Sequence, residues 1–284
     1  MLNWVLDPLQ YEFMVRGFAA AILVGIVCGV LGAYVVLKGM AFLGDALAHA
    51  ILPGIAVGYL VGNGARGPLF WGGLIAGVGA ALGIGAISRS GKIREDTAIG
   101  IIFSGMFALG VALISTARNF TVDLTHFLFG NVLGVSPADL RLTALLAGFI
   151  VLLVAAFYKE LLVTAFDPVL ATILRLPTQF YRYLLLIMLA VTIVVALQTV
   201  GVALMVAMLV TPAASASLLT RRLPSMMAVA ALIGAGSGVL GLYLSYYANI
   251  ASGPAIVLVC TAVFAVTFLF APQRGVLRNR PQHQ

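Results

Sequence analysis

Nine apolar runs, each about 20 residues long, leave this chain few ways to fold. They fall at roughly 13–37, 43–62, 69–88, 97–116, 138–158, 180–198, 201–219, 225–248 and 253–271. A helix of that length crosses the hydrocarbon of a bilayer. Only 9% of the 284 residues are charged, against about 25% in a soluble domain. No water-facing surface could be assembled from them. We therefore expect an all-α polytopic membrane protein with about nine transmembrane helices, or eight if one run is two half-helices or lies flat. Nothing between the runs is long enough for a soluble domain, so one membrane domain is expected over residues 1–272. The weaker stretch 119–136 reads as a short amphipathic or re-entrant piece, and 273–284 as a disordered cytoplasmic tail.

Lysine and arginine set the expected orientation. With sides alternating, twelve of the sixteen fall together: Lys38, then Arg89, Lys92 and Arg94, then Lys159, Arg175 and Arg182, then Arg221 and Arg222, then Arg274, Arg278 and Arg280. The other side keeps Arg16, Arg66, Arg118 and Arg141. The positive-inside rule then puts the C-terminus in the cytoplasm and the N-terminus outside. The net charge of +7 is scattered over the ends of the runs. It reads as a topology signal and not as a nucleic-acid surface. Cys28 and Cys260 stand singly in apolar runs and read as small hydrophobes. The N-terminal MLNWVLDPLQYEF has no basic region, so a cleavable leader is not expected.

One stretch, GDALAHAILPG at 44–54, is out of character with its surroundings. Asp45 and His49 lie four residues apart, on one face of a helix and one turn from each other. Ionisable groups at membrane depth are costly and face a partner or a wet cavity. A carboxylate with an imidazole suits manganese, iron or zinc. The other reading is a polar pair that only joins helices. Pro53 lacks an N–H, so the His49 carbonyl loses its usual helical partner and the backbone should kink or open there. Pro212 should break the seventh run in the same way, freeing the Met208 carbonyl. After Thr211-Pro212 come Ala213, Ala214, Ser215, Ala216 and Ser217, small enough for close helix packing or for lining a pathway. Met205 and Met208 read as core filler more readily than as soft metal ligands.

The longest loop on the basic side reads KELLVTAFDPVLATILRLPTQFYRY. Asp167 is an N-cap, Pro168 the first helical residue, and Pro177 a terminator. Between them a helix of about eight residues carries Leu170, Ile173 and Leu174 on one side. Such a helix must dock into a partner or lie on lipid. Glu95 and Asp96 read as first-turn acids of the fourth span, and Asp123 and His126 as a solvated outer face. His283, in the tail, has no expected role. There is no GxxxxGK[ST] loop, no HExxH, no GxSxG and no zinc-finger spacing. Transport, an intramembrane metal-dependent enzyme and a structural membrane subunit remain open from the residues alone.

Several segments together resemble the membrane permeases of zinc/manganese-type ABC importers. They are GVLGAYVVLKGMAFLGDALAHAILPG, REDTAIGIIFSGMFALG, FDPVLATILRLP, VGVALMVAMLVTPAASASLLTRR and SYYANIASGPAIVLV, in the family's order. The resemblance implies an importer half in a bacterial plasma (inner) membrane. Two permease copies would pair, two cytosolic ATP-binding subunits would drive them, and an extracytoplasmic solute-binding protein would deliver the metal. It implies no permanently bound cofactor, with ATP used only by the partner subunit. Asp45 and His49 would be metal ligands, and Asp167, Pro168, Leu170, Ile173 and Leu174 would couple to the ATPase within about 166–178. Thr211, Pro212, Pro53 and Met208 become candidate gate or pore residues. The wording is closest to manganese-type members, with zinc or iron as alternatives.

Overall fold

The computed structural model describes residues 6–62, 66–89, 91–116 and 132–271. Asp123, His126, His283 and the tail from 272 lie outside the described residues, as does most of the stretch 119–136. The described residues form helices and no strand. In chain order these are α1 (Glu12–Leu37), α2 (Leu43–Ala50), α3 (Leu52–Gly62), α4 (Arg66–Ser88), α5 (Glu95–Thr116) and α6 (Pro137–Ala156). Then follow α7 (Tyr158–Phe166), α8 (Pro168–Ile173), α9 (Thr178–Val200), α10 (Val202–Leu219), α11 (Leu223–Ala248) and α12 (Ser252–Phe270). With α2 and α3 taken as one run, nine among the described residues are long and apolar enough to cross a membrane. Their ends fall close to those of the apolar runs, because span length is set by bilayer thickness.

The two prolines behave differently. The second span is divided at Ile51, between α2 and α3 and just ahead of Pro53. The expected break at Pro212 is absent: α10 runs unbroken from Val202 to Leu219. A membrane helix tolerates the missing N–H where neighbours and local polar groups support it. Here Pro212, Ala213 and Ala216 are all buried, and Ser215 Oγ donates to the Thr211 carbonyl at 2.9 Å.

The short helix α8 forms where Asp167 and Pro168 start it. Asp167 Oδ1 accepts the Leu170 N–H at 2.8 Å, a cap worth about 1 kcal/mol. The helix has six residues instead of the expected eight. Arg175 takes a left-handed φ of 55°, and the N–H groups of Arg175 and Leu176 return to the carbonyls of Thr172 and Ala171. This closing motif satisfies the last carbonyls before Pro177 is reached. At the start of α6, Ser136 and Asp139 cap reciprocally: Ser136 Oγ accepts the Asp139 N–H at 3.1 Å and donates to its carboxylate at 2.6 Å.

The chain divides into two compact units. One comprises Met1–Leu37, Thr125–Gly148 and Gln198–Gln284. In it α1 packs against α10 and α11, and α12 against both of these. The approach is so close that a Cβ on Gly25 would sit 2.6 Å from the backbone of Gly234, and one on Gly32 would strike the Leu209 carbonyl. Lipid tails are as apolar as leucine, so packing of this kind, and not exclusion from water, holds membrane helices together. The other unit comprises Lys38–Leu124 and Phe149–Leu197. In it α2, α3, α4 and α5 pack on one another, and α7 carries α8.

Candidate metal site

Helix α2 buries Leu43, Gly44, Ala46, Leu47, Ala48 and Ala50. Asp45 and His49 are left on the one strip that stays partly open, with side chains 39% and 27% exposed. Their nearest atoms, Asp45 Oδ1 and His49 Nε2, are 3.6 Å apart. That is long for a hydrogen bond. It is short enough for one ion about 2.1 Å from each atom to bridge them. The strip therefore offers two ligands with room between them, as a carboxylate–imidazole metal pair requires. Among the described residues no group of three or more His, Cys, Asp or Glu could complete a site.

Sequence reasoning missed the walls. Phe103 and Phe107 of α5 stand edge-on to the imidazole, with ring centroids 5.9 and 5.7 Å away. Phe42 meets Phe103 at 5.8 Å. These rings restrict how His49 can turn and keep one side of the pair dry. The only signal in sequence was a Phe pair at i, i+4 in a span rich in small residues.

Backbone geometry below the pair is fixed by glycine. At the Ile51 division the Ile51 N–H turns to the His49 carbonyl, the one that Pro53 cannot serve. One turn on, α3 and α4 cross at contact distance: a Cβ on Gly54 would strike the Gly72 carbonyl, and one on Gly72 the Gly54 carbonyl. Pro53 itself is buried. Thr211, Pro212 and Met208 belong to the other compact unit, where Met208 and Pro212 are buried and Thr211 is half-buried. Met205 is also buried and serves as core. Glu95 opens α5 as expected, yet its carboxylate is engaged by Arg182 at 3.1 Å. On α8, Leu170 is 41% and Ile173 72% exposed, Leu174 just after it is 54% exposed, and Ala171 is fully buried. Its apolar face is thus turned outward.

The sequence profile described as the ABC 3 transport family matches residues 10–271. The chain belongs to the ABC 3 transport family. It is a multi-pass membrane protein and the permease subunit of an ABC transporter, with ATP hydrolysis in a separate subunit. A Listeria monocytogenes protein named manganese transport system membrane protein MntC is 49% identical over 272 residues, 96% of this chain and 95% of that protein. A Haemophilus influenzae protein named probable iron transport system membrane protein is 40% identical over 274 residues, 96% of this chain and 99% of that protein. Among solved structures, PsaBC from Streptococcus pneumoniae in complex with Fab matches with a TM-score of 0.83 at 41% identity. That match covers 96% of this chain and 98% of the other. Members of such a transporter work with ATP-binding and solute-binding partners.

Proposed function

We propose that this permease imports a divalent transition metal, manganese first, with zinc or iron as lesser substrates. The observation that carries the reading is the Asp45–His49 pair, 3.6 Å apart on the open strip of an otherwise buried helix. The relatives named for manganese transport, at up to 49% identity, favour manganese among the metals that such ligands accept. One chain supplies two ligands, and these metals take four to six. A homodimer with a two-fold axis repeats each residue. Two Asp45 and two His49 would then surround one ion, and the two carboxylates would balance its charge. The metal is cargo, and no resident cofactor is required.

The remaining parts follow from the same reading. An extracytoplasmic solute-binding protein delivers the ion, and two cytosolic ATP-binding subunits drive its passage. The basic loops face the cytoplasm with the C-terminus, and the N-terminus faces outward across the plasma membrane. The uncovered face of α8 is where an ATP-binding subunit docks, with Asp167 and Pro168 fixing its start. Pro53, Thr211, Pro212 and Met208 are gate or pore positions around the divided and proline-bearing helices.

Two measurements test this. In proteoliposomes holding the assembled transporter and its binding protein, radioactive manganese uptake should need ATP and be competed by cold manganese better than by zinc or iron. Equal or better competition by zinc would reassign the cargo. Ile173→Asp should lower both uptake and transport-linked ATP hydrolysis at least about tenfold, because a charge on a docking face costs several kcal/mol to desolvate. Unchanged coupling in Ile173→Asp would remove α8 from the mechanism while leaving the metal site standing.

A further inference from the structure

A second polar site lies in the unit that holds Asp45, at the ends of its helices. A cavity of about 180 Å³ is lined by Lys38, Thr164, Thr178, Gln179, Tyr181 and Arg182, together with apolar residues such as Leu161 and Leu185. Arg182 is anchored on one side. Its Nη2 meets Glu95 Oε1 at 3.1 Å and Ser88 Oγ, and its Nη1 reaches the Ser88 carbonyl at 3.5 Å. Lys38 has no such anchor: among the described residues its ammonium makes no hydrogen bond and no ion pair. Burial holds that ammonium below the usual lysine range; the charge of Glu95 opposes this and that of Arg182 adds to it. Two cations thus share one carboxylate, leaving one positive charge uncompensated in a half-buried cleft.

The polar lining narrows the ligand. The Thr164 hydroxyl is already donated to the carbonyls of Glu160 and Leu161. Thr178, Gln179 and Tyr181 bring neutral donors from the first turn of α9. Several neutral donors beside an ammonium and a guanidinium suit an oxyanion with several acceptor oxygens, such as a phosphate. The volume of about 180 Å³ has room for one such group and a few waters.

We propose that this cavity binds a phosphate group, held by Lys38 and Arg182 and by the donors at the start of α9. The group belongs to an anionic phospholipid or to free phosphate. Bound there, it ties Lys38, just past the end of α1, to the first turn of α9, the helix that follows α8. The inference does not depend on which metal is transported.

The test uses the assembled transporter and its thermal unfolding. One arm compares nanodiscs of phosphatidylcholine with nanodiscs containing added phosphatidylglycerol. The other compares inorganic phosphate with chloride at equal ionic strength, in detergent. We expect a rise in Tm of about 2–4 °C in at least one arm. The lipid arm alone identifies a headgroup, and the phosphate arm alone identifies a free anion. Lys38→Gln should lose the rise, Lys38→Arg should keep it, and Lys159→Gln, an exposed cation on α7, should also keep it. No response in either arm overturns the proposal. So does a response that survives Lys38→Gln or that disappears equally in Lys159→Gln.

Discussion

Asp45→Ala should lower metal uptake by about 100-fold or more while leaving the complex assembled. In the proposed site the carboxylate is the one charged ligand that α2 would offer, since an imidazole binds metal in its neutral form. In a homodimer each substitution is made twice, so a shared ion would lose both of its balancing charges at once. In the proposed site Phe103 and Phe107 cover one side of the pair, so water can replace those charges only from the open side. Asp45→Asn is the sharper comparison. It keeps an oxygen at the same place and removes only charge, so it should resemble the alanine variant more than the wild type. Asp45→Glu keeps the charge but lengthens the arm, and should retain part of the activity. Uptake under subsaturating manganese, with ATP hydrolysis measured in the same vesicles, reads these outcomes. Near wild-type uptake by Asp45→Ala would show that the ion passes elsewhere.

Gly54→Ala should destabilise the protein by about 1–3 kcal/mol and lower Tm by roughly 5 °C. The added methyl meets the carbonyl of Gly72, which is backbone and cannot rotate away, and it lies 2.6 Å from Ala76 Cβ. The helices α3 and α4 must therefore separate. Because α3 follows the Asp45 helix after a single residue, that separation should also weaken uptake. Gly79→Ala on α4 is the control, since nothing lies within 4 Å of the point where its methyl would stand; it should be neutral or slightly stabilising by helix propensity. Equal effects at the two glycines would mean that helix propensity, and not the crossing, governs the outcome.

Features set within one helical turn were legible in the sequence. Asp45 and His49 share a strip because four residues make about one turn. Asp167 caps α8 because its carboxylate reaches the free N–H of Leu170 three residues on, and the proline after it fits the first helical position. Other outcomes depended on packing and backbone conformation that residue type alone did not announce. Pro212 was expected to break a helix that its buried neighbours keep continuous. Glu95 is the first-turn acid that was expected, and Arg182, 87 residues away, adds an ion pair that no local signal showed. The helix α8 ends early because Arg175 adopts a left-handed turn that no glycine announced.

The sequence alone therefore determined that the chain is helical, how many apolar runs it has and where each starts. Those properties depend on the length of an apolar run against the thickness of a bilayer, and each run answers that question by itself. Only the tertiary structure decided what stands beside the Asp45–His49 strip, the two phenylalanines of α5 and the glycine crossing one turn on, and what forms the separate cationic cleft around Lys38. Each of these exists because helices distant in sequence approach one another, and in lipid that approach is governed by shape and hydrogen bonding between surfaces, which no single segment encodes.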